Sequence, residues 1–274
     1  MEPKIIFLGT AGDSIVTAKQ LRASGGIILE VDNTQLHIDP GPGALTMASM
    51  YGVNVRNTDA LLVSDNHLNH SNDVNAIINA MTAGGEDPRG LLLCCKSVVE
   101  RFEDNKIMFP FLLPYYKQFL DKTIIMERGN KTAVKELEIR ATYTKHGDKT
   151  AIGFRILTSK FNLGYTGDTA YSKKLVDDFQ GVDLLIMNVQ NPSTFEKEHQ
   201  LNTDDAIKLL TELKPKLAIV THFGIKMLEA DVLSEVRKMH LATGVQVIAA
   251  KDGMTINPVS YSVNLRQKTL NLFK

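Results

Sequence analysis

Cysteine is nearly absent from this chain. Its two cysteines, Cys94 and Cys95, are neighbours at the end of Leu91-Leu-Leu-Cys-Cys, and adjacent residues do not readily meet disulfide geometry. A disulfide scaffold is thereby excluded. Five apolar residues in a row read as a buried strand, so both thiols are expected to be structural. An excess of one charge is missing too, since 31 Lys and Arg balance 31 Asp and Glu. With no overall field to attract a polyanion, such a substrate would need a local patch that composition does not reveal. Long apolar runs are also lacking: residues 61–63 and 184–187 are far too short to span a bilayer. The first nine residues enter a strand without the basic, apolar and small-residue regions of a secretory leader. The expectation is a cytoplasmic protein with no membrane segment.

What is present is a regular alternation of strand and helix patterns in two rounds. Residues 4–8, 27–31 and 34–38 read as strands, the last two joined as a hairpin at Asp32-Asn33. Asp39-Pro-Gly-Pro-Gly43 is a tight loop before a helix over 44–51, followed by a strand over 60–64, a helix over 70–81 and a strand over 91–95. The second round has strands over 137–143, 152–157, 160–165, 183–187 and 217–221, with helices over 172–179 and 206–213. Asn202 reads as the cap of the latter helix, with Asp204 and Asp205 suiting its dipole. A helix over 230–241 closed by Gly244 and strands over 245–249, 254–256 and 261–265 complete the pattern. Two β-rich halves with outer helices predict an α/β four-layer αββα sandwich, a single domain over 1–274. Residues 96–130 are less legible. They hold the aromatic cluster Phe109-Pro-Phe-Leu-Leu-Pro-Tyr-Tyr116, read either as an apolar edge or as a lid or variable insertion.

Ligand-type residues fall where strands end. Asp65-Asn66-His67-Leu68-Asn69-His70 follows the run 59–64, and His67 and His70, three apart, can turn toward one point above the strand end. By itself this segment could equally be a polar loop. Three more runs end the same way, in His146, Asp168 and His222, and open α/β sheets gather ligands at such ends. Four of the seven histidines lie at these positions. A binuclear metal site is the favoured reading, with His70 kept neutral by a helix N-terminus. Asp39 either orients a ligand from behind or caps its own loop. His37 reads as structural, and His240 as suited to a helix carbonyl end. Lys145 and Lys149 could meet a phosphate but more often such residues are solvated. Gly9-Thr-Ala-Gly12 reads as the turn that brings its strand to the site.

Taken in order, Phe7-Leu-Gly-Thr-Ala-Gly12, His37-Ile-Asp-Pro-Gly41, the Asp65 to His70 cluster, His146, Gly167-Asp168, Thr221-His222-Phe-Gly224 and Lys251-Asp-Gly-Met254 resemble the metallo-β-lactamase-fold hydrolases. The resemblance covers nearly the whole chain. It is closest to the ribonuclease Z and phosphodiesterase branch, through Glu198-His199-Gln-Leu-Asn-Thr-Asp-Asp-Ala206. It implies two divalent metal ions, with Asp65, His67 and His146 on one, Asn69, His70 and His222 on the other, and Asp168 bridging. A water or hydroxide held by both ions is then the nucleophile. His199, helped by Glu198, would stabilise the oxyanion or protonate the leaving oxygen, unless it is an ordinary exposed loop histidine. Two positions depart from the family's His-x-His-x-Asp-His. Asp65 replaces the first histidine; zinc stays the first expectation for the two ions, with iron or manganese as the alternatives that an oxygen ligand favours. Asn69 replaces the aspartate that holds and orients the nucleophile, and a neutral amide is a weak ligand and a poor proton acceptor.

The implied function is hydrolysis of a phosphodiester or related ester of a small molecule or nucleotide. Long RNA is not expected, because residues 84–130 lack a basic Gly/Pro-rich arm. The alternative is a metal-binding or ligand-sensing relative that Asp65 and Asn69 have impaired. Redox chemistry at a di-iron site is a third reading, weakened by the lack of room for a flavin domain. Homodimerisation is a further expectation from the resemblance.

Overall fold

Runs rich in Ile, Leu and Val form two large sheets. The computed structural model describes residues 2–103, 107–196 and 198–265; residues 104–106 of the 96–130 segment, Lys197 of the loop before His199 and the end of the expected 1–274 domain lie outside them. One sheet runs, edge to edge, through Val263–Leu265, Met254–Ile256, Lys4–Phe7, Ile27–Val31, Thr34–Ile38, Thr58–Val63, Leu91–Cys94 and Lys122–Ile125. The other runs through Gln246–Ala249, Leu217–Thr221, Leu184–Asn191, Asn162–Tyr165, Gly153–Leu157, Leu137–Thr142 and Lys131–Val134, with Leu201–Asn202 paired to Leu184–Asn191. Each sheet has an antiparallel portion and a parallel one. The parallel strands Thr58–Val63, Asn162–Tyr165 and Leu217–Thr221 and the antiparallel strand Leu137–Thr142 lead at their C-terminal ends into the candidate site.

The period of two along a strand divides its side chains between layers. In Leu184–Asn191, Leu184 and Ile186 pack into the core between the sheets, whereas Leu185, Met187 and Val189 face the outer helices. Leu217 and Ile219 against Ala218 and Val220 repeat the division on the neighbouring strand. Each fully buried Leu or Ile contributes roughly 1.5–3 kcal/mol. Helices Lys173–Phe179, Thr203–Leu213 and Val232–Thr243 cover the second sheet. Ala44–Met50 and Val74–Met81 cover the first, which gives the four-layer αββα order expected. Asn202 caps its helix by accepting from the Asp205 amide, and Gly244 closes Val232–Thr243 in a left-handed turn.

Local departures have identifiable causes. The helix expected over 70–81 is two helices, Leu68–Ser71 and Val74–Met81. The Asp73 amide donates to Pro40 O at 2.9 Å instead of continuing the helical ladder, so the loop after Asp39 breaks the helix there. Within 96–130, Lys122–Ile125 extends the first sheet in parallel, and residues 109–113 are tied by Asn66 and Asn75 to the loop and helix beside the site. Cys94 and Cys95 are free and buried, and burial pushes the Cys94 thiol up to about 12. His37 is buried with Nε2 bonded to Gly25 O, and His240 Nδ1 meets Val245 O. No helix among the described residues is long and apolar enough to cross a membrane.

Candidate metal centre

Six of the ligand-type residues meet at the strand ends in two triads. In the outer one, His67 Nδ1 and His146 Nε2 lie 3.3 and 3.4 Å from the Asp65 carboxylate oxygens and 3.1 Å from each other. In the inner one, His70 Nε2 and His222 Nε2 lie 3.3 and 3.1 Å from the Asp168 oxygens, and the two rings stack at 4.8 Å. Asp65 Oδ2 and His70 Nε2 join the triads at 3.9 Å. The inner triad is wholly buried, whereas His67 and His146 reach the surface. Asn69 places its amide nitrogen 3.3 Å from His222 Nε2.

Buried partners aim these ligands. Asp39 accepts from Ser64 N, Ser64 Oγ and Tyr165 OH, and its Oδ2 lies 2.8 Å from His70 Nδ1, leaving Nε2 turned to the centre. Both oxygens of Asp168 accept amide donors at 2.8 Å, from Asn188 and Gln200. His146 Nδ1 meets His199 O at 3.1 Å. The His146 and Asp168 loops are knitted by Lys145 N to Thr169 Oγ1 and Ala170 N to Lys145 O. The Gly9–Gly12 turn presses on His222, with Phe223 donating to Thr10 O and Gly12 donating to Phe223 O. Asp39, His199 and His222 hold left-handed backbone with φ of 51, 69 and 67°, a conformation that costs a non-glycine residue about 1–3 kcal/mol. Tyr165, Asn188 and Gln200 were not singled out from sequence. Gln200 sits beside His199, and its place there was the available signal; Asn188 is concealed in an apolar strand.

The carboxylates and imidazoles of the two triads shift one another's ionisation. Burial works against ionising Asp168, but His222 and His70 outweigh it and hold the carboxyl well below the usual range. At Asp65 burial is likewise overcome, by His70, His67 and His146. His70 was expected to stay neutral through a helix dipole; instead, burial is outweighed by Asp65, Asp168 and Asp39, which raise it well above its ordinary value. The helix is a single turn, and three carboxylates dominate it.

A cleft of about 420 Å³ opens over the centre, lined by Asp13, Ser14, His67, His146, His199 and Gln200 among others. His199 Nε2 lies 3.3 Å from Glu198 Oε1, at the rim. Asp65 Oδ2 and His70 Nε2, both buried and 3.9 Å apart, make no well-directed hydrogen bond among the described residues, although His146 Nε2 and Asp168 Oδ2 lie 3.4 and 3.3 Å from them. Leaving such atoms unpaired is expensive, and a divalent cation satisfies both. Two sets of two imidazoles and a carboxylate suit zinc, iron or manganese.

Residues 34–223 match the family model described as the beta-lactamase superfamily domain. An uncharacterised protein of Methanocaldococcus jannaschii is 34% identical over 258 residues, covering 93% of this chain and 95% of its own. The metallo-beta-lactamase fold protein YhfI of Bacillus subtilis is similar in structure, with a TM-score of 0.75 at 19% identity over 93% of this chain and 99% of that one. A diphosphatase of the PhnP family gives 0.66 at 14% identity, over 93% and 97%. The family match takes in the Asp65 to His70 cluster, His146, Asp168 and His222 within one continuous stretch, and the structural likeness extends to the strands on either side. The chain belongs to the beta-lactamase superfamily and has the metallo-β-lactamase fold, whose members are generally metal-dependent hydrolases.

Proposed function

We propose that the protein hydrolyses a phosphodiester or related ester of a small molecule or nucleotide with the help of two divalent cations. The observation that carries this reading is the meeting of two triads at 3.9 Å through buried ligand atoms that make no well-directed hydrogen bond among the described residues. Similarity to a PhnP-family diphosphatase favours phosphoryl chemistry over other esters. Asp65, His67 and His146 would hold one ion, and His70, Asp168 and His222 the other, with Asn69 beside it. When bound, such a pair of ions lowers the pKa of a shared water and offsets charge on a phosphoryl oxygen.

The chain's own residues supply the rest. Asp39 keeps His70 Nε2 directed inward, and Asn188 and Gln200 fix the plane of the Asp168 carboxylate. The water oxygen adds to phosphorus and loses a proton to solvent, the ester P–O bond breaks, and His199 gives a proton to the departing oxygen and regains one from solvent, with Glu198 holding the imidazole. The test is metal content by plasma mass spectrometry, paired with hydrolysis of bis(p-nitrophenyl) phosphate with added zinc, manganese or iron(II). Near two ions per chain with turnover supports the reading. The amide nitrogen of Asn69 against His222 Nε2 favours a second one, a metal-binding or sensing protein; bound metal without hydrolysis of any diester tried would select it.

A further inference from the structure

We infer that Asp148 is the positioning residue of the outer triad, and that the two triads are held by separate buried carboxylates. This rests on the two-cation reading. Asp148 is only 2% exposed and follows His146 by two residues. Its Oδ1 accepts from Thr150 N and Thr150 Oγ1, both at 2.8 Å. Its Oδ2 accepts from Ser97 Oγ at 2.5 Å and from Asn66 N at 3.3 Å. Asn66 stands between Asp65 and His67, so one carboxylate ties the loop of the third outer ligand to the loop of the other two. Ser97, in helix Lys96–Val99, anchors both to the body of the first sheet. The outer ligand atoms lie 3.1–3.4 Å apart across these two loops, and Asp148 sets that span.

Asp39 plays the matching part for the inner triad, and the donors it receives, from Ser64, Tyr165 and His70, are none of those on Asp148. The two carboxylates differ in one respect. Asp39 touches a ligand ring, whereas Asp148 acts through backbone. Selective weakening of one triad is therefore the signature that separates positioning from general support of the fold.

Asp148→Asn is the decisive variant. All five groups around Asp148, the four above and the Cys95 thiol 3.9 Å from Oδ2, donate; two of them are backbone amides that cannot reverse, and an asparagine must turn its own NH₂ on one side of them. In competition titrations of zinc or manganese against a chelating dye, wild type fills two sites. Asp148→Asn is expected to keep one within threefold and weaken the other about 10–100-fold. Adding His67→Ala to it should cost no further ion, whereas adding Asp39→Asn should cost the second. Ser97→Ala, which removes one of the bonds to Asp148 together with the contacts of Ser97 Oγ to Thr150 Oγ1 and Cys95 Sγ, should weaken the same site less, and it decides the matter if Asp148→Asn does not fold. Equal weakening of both sites, or unchanged affinity in Ser97→Ala, overturns the inference. Fewer than two ions in wild type overturns the two-cation reading itself, and the inference falls with it.

Discussion

Gly12→Ala tests how His222 is held. A Cβ built on Gly12 would lie 1.9 Å from His222 O and 2.8 Å from its ring atom Cδ2, whereas real Cβ contacts essentially never fall under 3.0 Å. The backbone of Gly12 is not left-handed, so alanine's penalty is purely one of space. The obstacle is backbone, held from the far side by Phe223 N bonded to Thr10 O at 2.8 Å. His222 must therefore retreat by roughly 1 Å, a misplacement that costs about a hundredfold in rate at a catalytic centre. Overpacking should lower stability by only about 1–3 kcal/mol, leaving a folded protein to assay. We expect one ion per chain to be lost and bis(p-nitrophenyl) phosphate hydrolysis to drop about a hundredfold. Gly129→Ala is the control, since its φ is +86° and nothing lies within 4 Å of the added carbon. It should lose about 1 kcal/mol and keep its metals. Full metal content in Gly12→Ala with a rate within threefold of wild type would refute the reasoning.

Three further predictions concern single groups. Restoring the carboxylate in Asn69→Asp should tighten one metal site and raise turnover; unchanged affinity and rate would mean that Asn69 does not limit the centre. His199→Ala should keep both ions, because the group that meets His146 is its backbone carbonyl, and slow hydrolysis by about two orders of magnitude; an unchanged rate removes the side chain from the mechanism. Burial lowers the His37 pKa from 6.5 to about 4. The unfolded chain therefore takes up that proton first, so its contribution is complete above pH 6.5 and is lost as pH falls toward about 4, some 3 kcal/mol in all. In chelator-treated protein, the stability of wild type relative to His37→Gln should fall through that window; parallel urea-denaturation curves from pH 4 to 7 would contradict it.

The fold was legible because its strands are apolar runs and its helices are punctuated by Asn202 and Gly244. The six residues of the candidate centre could be picked out because they follow strands closely, in Asp65 to His70, His146, Asp168 and His222. What stayed hidden depends on contacts distant in sequence. The break at Asn72-Asp73 comes from Pro40, and Lys122–Ile125 is a strand because Leu91–Cys94 offers it an edge. Asp148 looks like an ordinary loop aspartate until Ser97 and Asn66 are brought to it. The raised pKa of His70 is not legible in sequence, where its helix shows but two of the three carboxylates around it come from other strand ends.

The left-handed backbone at Asp39, His199 and His222 makes stability and chemistry competitors at the same positions. On the proposed reading, glycine at any of them would relax the backbone and, in the same step, delete the group assigned to orient, protonate or bind. Drift toward a sturdier fold at these three sites is drift away from a working centre. The cost must be covered by the two sheets, and their interlayer packing is what lets the centre keep a shape the chain alone would not choose.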